Sequence, residues 1–177
     1  MNRIFCIIMF LILVPASCKD PDYRIDPDTS GTVTIDNTLY GSGPYYAIGF
    51  DFARALKVSS LATPKPDITL GYDEGSGIFY LQTNAGINGF HLAGEYADPA
   101  LAEEAFDNLT SFVVNDWDEW ANPLKVNQVW IYQSADEHYA KIRIISLSAE
   151  DLDPRDYAEC TFEWVYQPDG SLTFPGK

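Results

Sequence analysis

The sequence predicts an all-β protein, mainly antiparallel sheets, with a three-stranded C-terminal meander and one short helix near residues 99–109. Three observations carry this. Apolar and polar residues alternate with a period of two through much of the chain. The aromatic load of 4 Trp, 11 Tyr and 10 Phe favours pleated surfaces, on which flat rings pack well. Helical spacing occurs in a single segment. With 177 residues and 46% hydrophobic content, the chain is long enough for one domain to bury a sizeable core without metal or disulfide.

The meander runs from Val126 to Tyr166 and organises the rest. In its middle strand Ala140, Ile142 and Ile144 alternate with Lys141 and Arg143, which sends the apolar set to one face and both cations to the other. That pattern predicts a half-buried strand. Val129–Tyr132 precedes it across the short polar loop Ser134–Glu137, a hairpin length. Cys160, Phe162, Trp164 and Tyr166 then line one face of the third strand, opposite Thr161, Glu163 and Val165. A shared apolar face on three strands can carry a core where two strands cannot.

From the N-terminus, residues 1–17 read as an export signal. Arg3 supplies one positive charge, Ile4–Val14 is an apolar run, and Pro15-Ala16-Ser17 brings small residues up to Cys18. As a helix the run reaches only about 16 Å, roughly half of a hydrocarbon core about 30 Å thick. Leu13–Cys18 resembles a bacterial lipobox, in which the Cys becomes the acylated first residue; the alternative is an ordinary secretory signal cut nearby. Residues 18–31 form an acidic, Pro-rich tether, with Asp20-Pro21-Asp22 and Asp26-Pro27-Asp28 too polar to bury. The domain is assigned to residues 32–177.

Within it, Thr32–Asp36 alternates as a strand, Gly41–Pro44 breaks the chain, and Tyr45–Phe52 resumes it with an aromatic face. Ala53–Val58 fits either a helical turn or more strand. Ile68–Leu70 starts a short strand that Gly71–Gly77 interrupts, and Ile78–Thr83 and Asn88–Ala93 read as two strands joined by the Asn84–Gly86 turn. The helix spans Pro99 to about Leu109. Asp98 is its N-cap, Pro99 takes the first position, and Leu101, Ala105 and Leu109 repeat at four-residue spacing beside Ala102 and Phe106. Glu103 and Glu104 fall on the solvated side. The paired strands are expected to form a sandwich tied to a bilayer through Cys18.

Charge and cysteine count exclude several functions. Net charge is −15, scattered along the chain, which opposes nucleic acid. Cys6 leaves with the signal and Cys18 is blocked by lipid, so Cys160 has no disulfide partner and reads as core, not as a nucleophile. Asp116-Trp117-Asp118-Glu119-Trp120 sets three carboxylates beside two indoles, the ingredients of a sugar platform or a glycosidase. Neighbours on a strand face opposite ways, so Asp118 and Glu119 do not converge, and a surface loop is the simpler reading. Gly71–Gly77 has neither a Lys nor a following helix and reads as a turn. His91 and His138 are the two imidazoles, the side chains that most often hold haem iron; packed or surface histidine is the plain reading of each. No catalytic residues and no metal site are assigned.

Three stretches carry a family resemblance: Asn127–Tyr132, Tyr139–Ile144 and Cys160–Tyr166. Together they resemble the closing meander of the HmuY family of Bacteroidota lipoproteins, as do the lipobox, Thr32–Asp36, Tyr46–Phe50 and Lys65–Leu70. The resemblance implies an almost all-β domain, lipid-anchored in the cell envelope at the outer membrane, that captures haem between two axial ligands and hands it to an outer-membrane receptor. Those ligands are His or Met, and the matching segments Tyr96–Val114 and Asn115–Pro123 hold neither, which leaves His91, His138 or a Tyr as candidates. Arg54, Lys57, Lys141 and Arg143 are the cations available to haem propionates. The alternatives are an accessory lipoprotein of an outer-membrane uptake system, binding a protein or glycan through the Trp117 and Trp120 loop, and last a hydrolase using Asp116, Asp118 or Glu119.

Overall fold

The computed structural model describes residues 27–37, 47–153 and 155–175. Residues 1–17, expected to be an export signal, Cys18, most of the expected tether, the Gly41–Pro44 break and the Tyr45–Tyr46 start of the second strand lie outside them. Among the described residues the elements are β1 (Ser30–Asp36), β2 (Ile48–Asp51), β3 (Leu56–Ser59), β4 (Ile68–Asp73), β5 (Ile78–Thr83), β6 (Phe90–Glu95), α1 (Pro99–Asn108), β7 (Trp120–Leu124), β8 (Gln128–Gln133), β9 (Tyr139–Glu150) and β10 (Tyr157–Gln167).

All strands join one antiparallel sheet in the order β6-β8-β9-β10-β1-β2-β4-β5-β7, with β3 paired to β2. The two ends of that path nearly meet. Just ahead of β7, Asp118 bridges Phe90 of β6, with Asp118 N–H donating to the Phe90 carbonyl at 2.8 Å and Phe90 N–H to the Asp118 carbonyl at 3.0 Å. The result is a nearly closed, barrel-like sheet, where the sequence suggested a sandwich. Closing a sheet on itself protects strand edges that an open sheet exposes.

The meander forms as the alternation requires. Trp130, Ile142 and Trp164 lie on one cross-strand row, and Ala140, Ile142, Ile144, Cys160 and Phe162 are fully buried in the inner core. Phe52 knits that core: its ring stacks on Tyr132 at 5.3 Å and on Tyr166 at 6.3 Å, and meets the Phe50 ring edge-on at 5.2 Å. Contacts of this kind add to the area that each ring removes from water.

The other face of the meander is covered too, which corrects the half-buried reading. A second cluster packs Phe106 of α1 and Phe112 and Phe174 of the flanking segments onto Val129, Ile131, Tyr139 and Val165. Lys141 lies on that face as predicted but is only 2% exposed, its Nζ 4.6 Å from the Phe106 ring centroid. Its neighbour Arg143 pairs directly across the ladder with Glu163, Nη2 to Oε2 at 2.6 Å. Period-two alternation therefore separated the two faces but could not tell a wet face from one roofed by a helix and tail.

Other expectations shift in detail. β1 begins at Ser30, two residues before the assigned domain start. The Ala53–Val58 ambiguity resolves into a turn, with Ala55 at φ 52°, followed by β3. β4 runs through Gly71 to Asp73 rather than stopping. β5 and β6 do not pair with each other: β5 lies between β4 and β7, and β6 pairs with β8. On α1, Asp98 caps Leu101 N–H at 3.0 Å as expected, but the buried positions are Ala102 and Phe106, while Leu101 is 46% exposed.

Candidate functional site

Each candidate imidazole is held through Nδ1, and the two stand on opposite faces of the sheet. His91 of β6 shares its rung with Ile131, a residue of the outer cluster, and its ring meets Trp117 edge-on. Its Nδ1 lies 3.2 Å from the Asp116 carbonyl. A carbonyl only accepts, so that contact places the proton on Nδ1 and leaves Nε2 with a lone pair. His138 sits in the β8–β9 turn, its Nδ1 3.1 Å from the Tyr166 hydroxyl, a group of the inner core that can donate or accept. Opposite placement means that the two imidazoles do not grip one iron between them.

The cations named for haem propionates are mostly engaged. Arg54 Nε donates to Asp51 Oδ2 at 2.9 Å, Arg143 holds Glu163, and Lys141 Nζ donates to the carbonyls of Phe106 at 2.6 Å and Leu109 at 3.1 Å. Lys57 remains exposed on β3.

A polar cluster that the sequence did not single out gathers on the inner face around Phe52. Asp67 Oδ2 accepts the Phe52 N–H at 2.8 Å, and burial pushes its carboxyl up to about 6 against that bond, helped by the nearby Asp51 charge. The Tyr132 hydroxyl is buried beside Thr83 with no well-formed hydrogen bond, and burial pushes it well above the usual phenol range; Tyr166 is pushed up to about 12 by burial and the Asp67 and Asp51 charges. Titratable groups displaced by burial and a charged neighbour mark sites worth testing. No sequence pattern could have found them, because Asp51, Asp67, Tyr132 and Tyr166 come from four separate elements.

The acidic-aromatic run splits. Trp117 packs into the outer cluster and stacks on Tyr139 at 6.3 Å. Trp120 lies in β7, 42% exposed, and stacks on Tyr80 of β5 at 5.0 Å with planes 15° apart. Tyr80 in turn lies flat over Gly71 of β4, where an added Cβ would come within 2.1 Å of its Cζ. The flat platform is therefore Tyr80 with Trp120, not Trp117 with Trp120. Gln82, opposite Trp120, donates to Thr69 Oγ1 at 3.2 Å beside it. Asp116, Asp118 and Glu119 are exposed, and the Asp118 backbone is committed to the bridge with Phe90.

Cys160 is fully buried, and burial raises its thiol, which opposes the thiolate that a nucleophile needs. Gly71–Gly77 is the end of β4 and a tight turn, in which Asp73 Oδ1 accepts Gly75 N–H at 2.9 Å. Among the described residues no group of three or more His, Cys, Asp and Glu could hold a metal ion, and no helix is long and apolar enough to cross a membrane. No protein-family model and no curated protein matches the chain.

Proposed function

We propose that this chain is a lipid-anchored binding protein of the cell envelope that takes its ligand reversibly, without chemical change. Export and anchoring rest on the apolar run Ile4–Val14 leading to Cys18, whose acyl chains each add about 0.8 kcal/mol per buried CH2. The ligand is haem or a related tetrapyrrole, in keeping with the resemblance of the C-terminal meander to HmuY proteins. The observation that carries this is the Nδ1 contact of His91 with the Asp116 carbonyl, which fixes the tautomer that keeps the Nε2 lone pair for a ligand. His91 serves as the single protein ligand, since His138 faces the other side of the sheet. Haemin titration of the purified domain tests it: a saturable Soret shift lost in His91→Ala but retained in His138→Ala is expected, and no shift at micromolar haemin overturns it.

A second reading has its own observation. The Tyr80–Trp120 stack offers a flat, partly exposed indole next to the Gln82 side-chain amide, suited to the apolar face of a neutral sugar ring. Net charge of −15 disfavours anionic glycans. Calorimetry with neutral oligosaccharides should give binding that Trp120→Ala abolishes and Trp117→Phe preserves; equal binding by wild type and Trp120→Ala removes this surface from consideration.

A further inference from the structure

β1 is paired along its length with β10 on one side and hardly at all on the other. Thr29 accepts the Tyr166 N–H at 2.7 Å, Asn37 N–H donates to the Ala158 carbonyl at 3.0 Å, and the register between them is unbroken. In an antiparallel ladder every second residue turns its N–H and C=O to the same neighbour. Odd-numbered residues of β1 therefore face β10, and Ser30, Thr32, Thr34 and Asp36 face away.

Asp36 meets Ile48 of β2, and the ladder stops after that rung. The next position along β2 is taken, because Phe50 pairs with Ile68 of β4, which crosses over Gly49. Ser30, Thr32 and Thr34 thus present backbone donors and acceptors with no strand partner among the described residues. Ser30 and Thr32 are exposed.

Beside this edge lies a cavity of about 170 Å³, between β1 and the β2–β3 hairpin. Its lining mixes Val33, Phe50, Ala55 and Trp164 with Ser30 and Thr32, and Lys57 and Asp28 set one charge of each sign there. It is open to solvent, and its volume is that of one side chain.

We propose that this edge and cavity receive an extended segment of a partner protein by strand addition. The segment forms ladder bonds with Ser30, Thr32 and Thr34 and lays one side chain into the cavity, beside the edge where the Phe50 and Trp164 rings meet at 5.0 Å. Ladder bonds supply affinity and the pocket supplies specificity in this mode of recognition. Because Lys57 and Asp28 offset each other, the remaining net charge of the chain selects a segment with basic flanks. The assignment is independent of which small ligand the protein carries.

The test uses the full chain and a fluorescein-labelled synthetic peptide, Lys-Thr-Val-Thr-Phe-Thr-Val-Lys, followed by anisotropy. Saturable binding is expected, weakened at least tenfold when alternate peptide amides are N-methylated and weakened again at high salt. Thr32→Pro, which removes an outward N–H but no bond to β10, should likewise lose at least tenfold, with an unchanged circular dichroism spectrum. Absence of saturable binding, or equal binding of the N-methylated peptide, overturns the proposal without needing any variant to fold. A concentration-dependent dimer abolished by Thr32→Pro also overturns it, by giving the edge to a second copy.

Discussion

Lys141 Nζ donates to the Phe106 carbonyl at 2.6 Å, joining the middle strand of the meander to the last turn of α1 across thirty-five residues of sequence. Helix C-termini leave carbonyls without intrahelical partners, and a cation there also complements the helix dipole. The Leu109 N–H also reaches the Phe106 carbonyl, at 3.3 Å. The ammonium adds a second, charged donor there and serves the Leu109 carbonyl too, while it lies over the Phe106 and Phe174 rings. Lys141→Met keeps the stem volume and removes the donor. It should cost about 1.5–3 kcal/mol, the range for losing a hydrogen bond from a charged donor. Urea unfolding with an unchanged slope and a lower midpoint would show it; an unchanged midpoint would assign the helix's attachment to the aromatic contacts alone.

Asp67 makes stability depend on pH in an unusual direction for a carboxylate. Its folded-state value is raised to about 6, so between about pH 4 and pH 6 the folded chain holds a proton that the unfolded chain releases. Its contribution therefore worsens as pH climbs through that window and stays unfavourable above it, by on the order of 3 kcal/mol. Asp67→Asn can still accept the Phe52 N–H and removes the titration. Unfolding curves from pH 4 to 7 should lose that downward component in the variant, which should be at least as stable as wild type at pH 7. Parallel pH profiles for the two proteins would contradict this.

Two glycines hold close approaches that no other residue allows. At Gly49 a Cβ would stand 2.1 Å from the Ile68 carbonyl oxygen, backbone that cannot step aside, so Gly49→Ala should cost about 3 kcal/mol or more. At Gly71 the obstacle is the outer end of the Tyr80 ring, which can swing. Gly71→Ala should cost about 1–3 kcal/mol, and it should weaken the near-ultraviolet dichroism of the Tyr80–Trp120 pair. Thermal unfolding separates the two cases, and equal small losses at both would show that β4 does not cross β2 as tightly as described.

Breaking the cross-strand pair Arg143–Glu163 tests the outer face of the meander. Both side chains are largely buried, 12% and 14% exposed, and Glu103 approaches the same guanidinium at 3.8 Å. Glu163→Gln should therefore cost about 1–3 kcal/mol, well above the sub-kilocalorie value of a surface pair. A change below about 0.5 kcal/mol would mean that water screens the pair despite its burial.

Much of the fold was legible because period-two alternation reports directly on faces. It placed Ala140, Ile142 and Ile144 inside, and Asp98 with Pro99 marked the start of α1 by capping chemistry that acts locally. What failed depended on distant partners. Lys141 read as a solvated cation because nothing local shows that α1 returns to cover it. β5 and β6 read as a hairpin because the Asn84–Gly86 turn fits one, while the pairing is decided by β7 and β8. Gly71 read as a break because a glycine under an aromatic ring and a glycine in a turn look alike in sequence. The same limit hid the Tyr80–Trp120 platform and the Asp67 cluster, whose members meet only through the ladder.

The proposed export and lipid anchoring at Cys18 can be read directly from the mature protein. Intact-mass and N-terminal peptide analysis of protein recovered from the producing cell's membranes should find a chain that begins at Cys18 and carries acyl mass on that residue. A chain that keeps residues 1–17 in the soluble cytosolic fraction, or one with Cys18 unmodified, would contradict it.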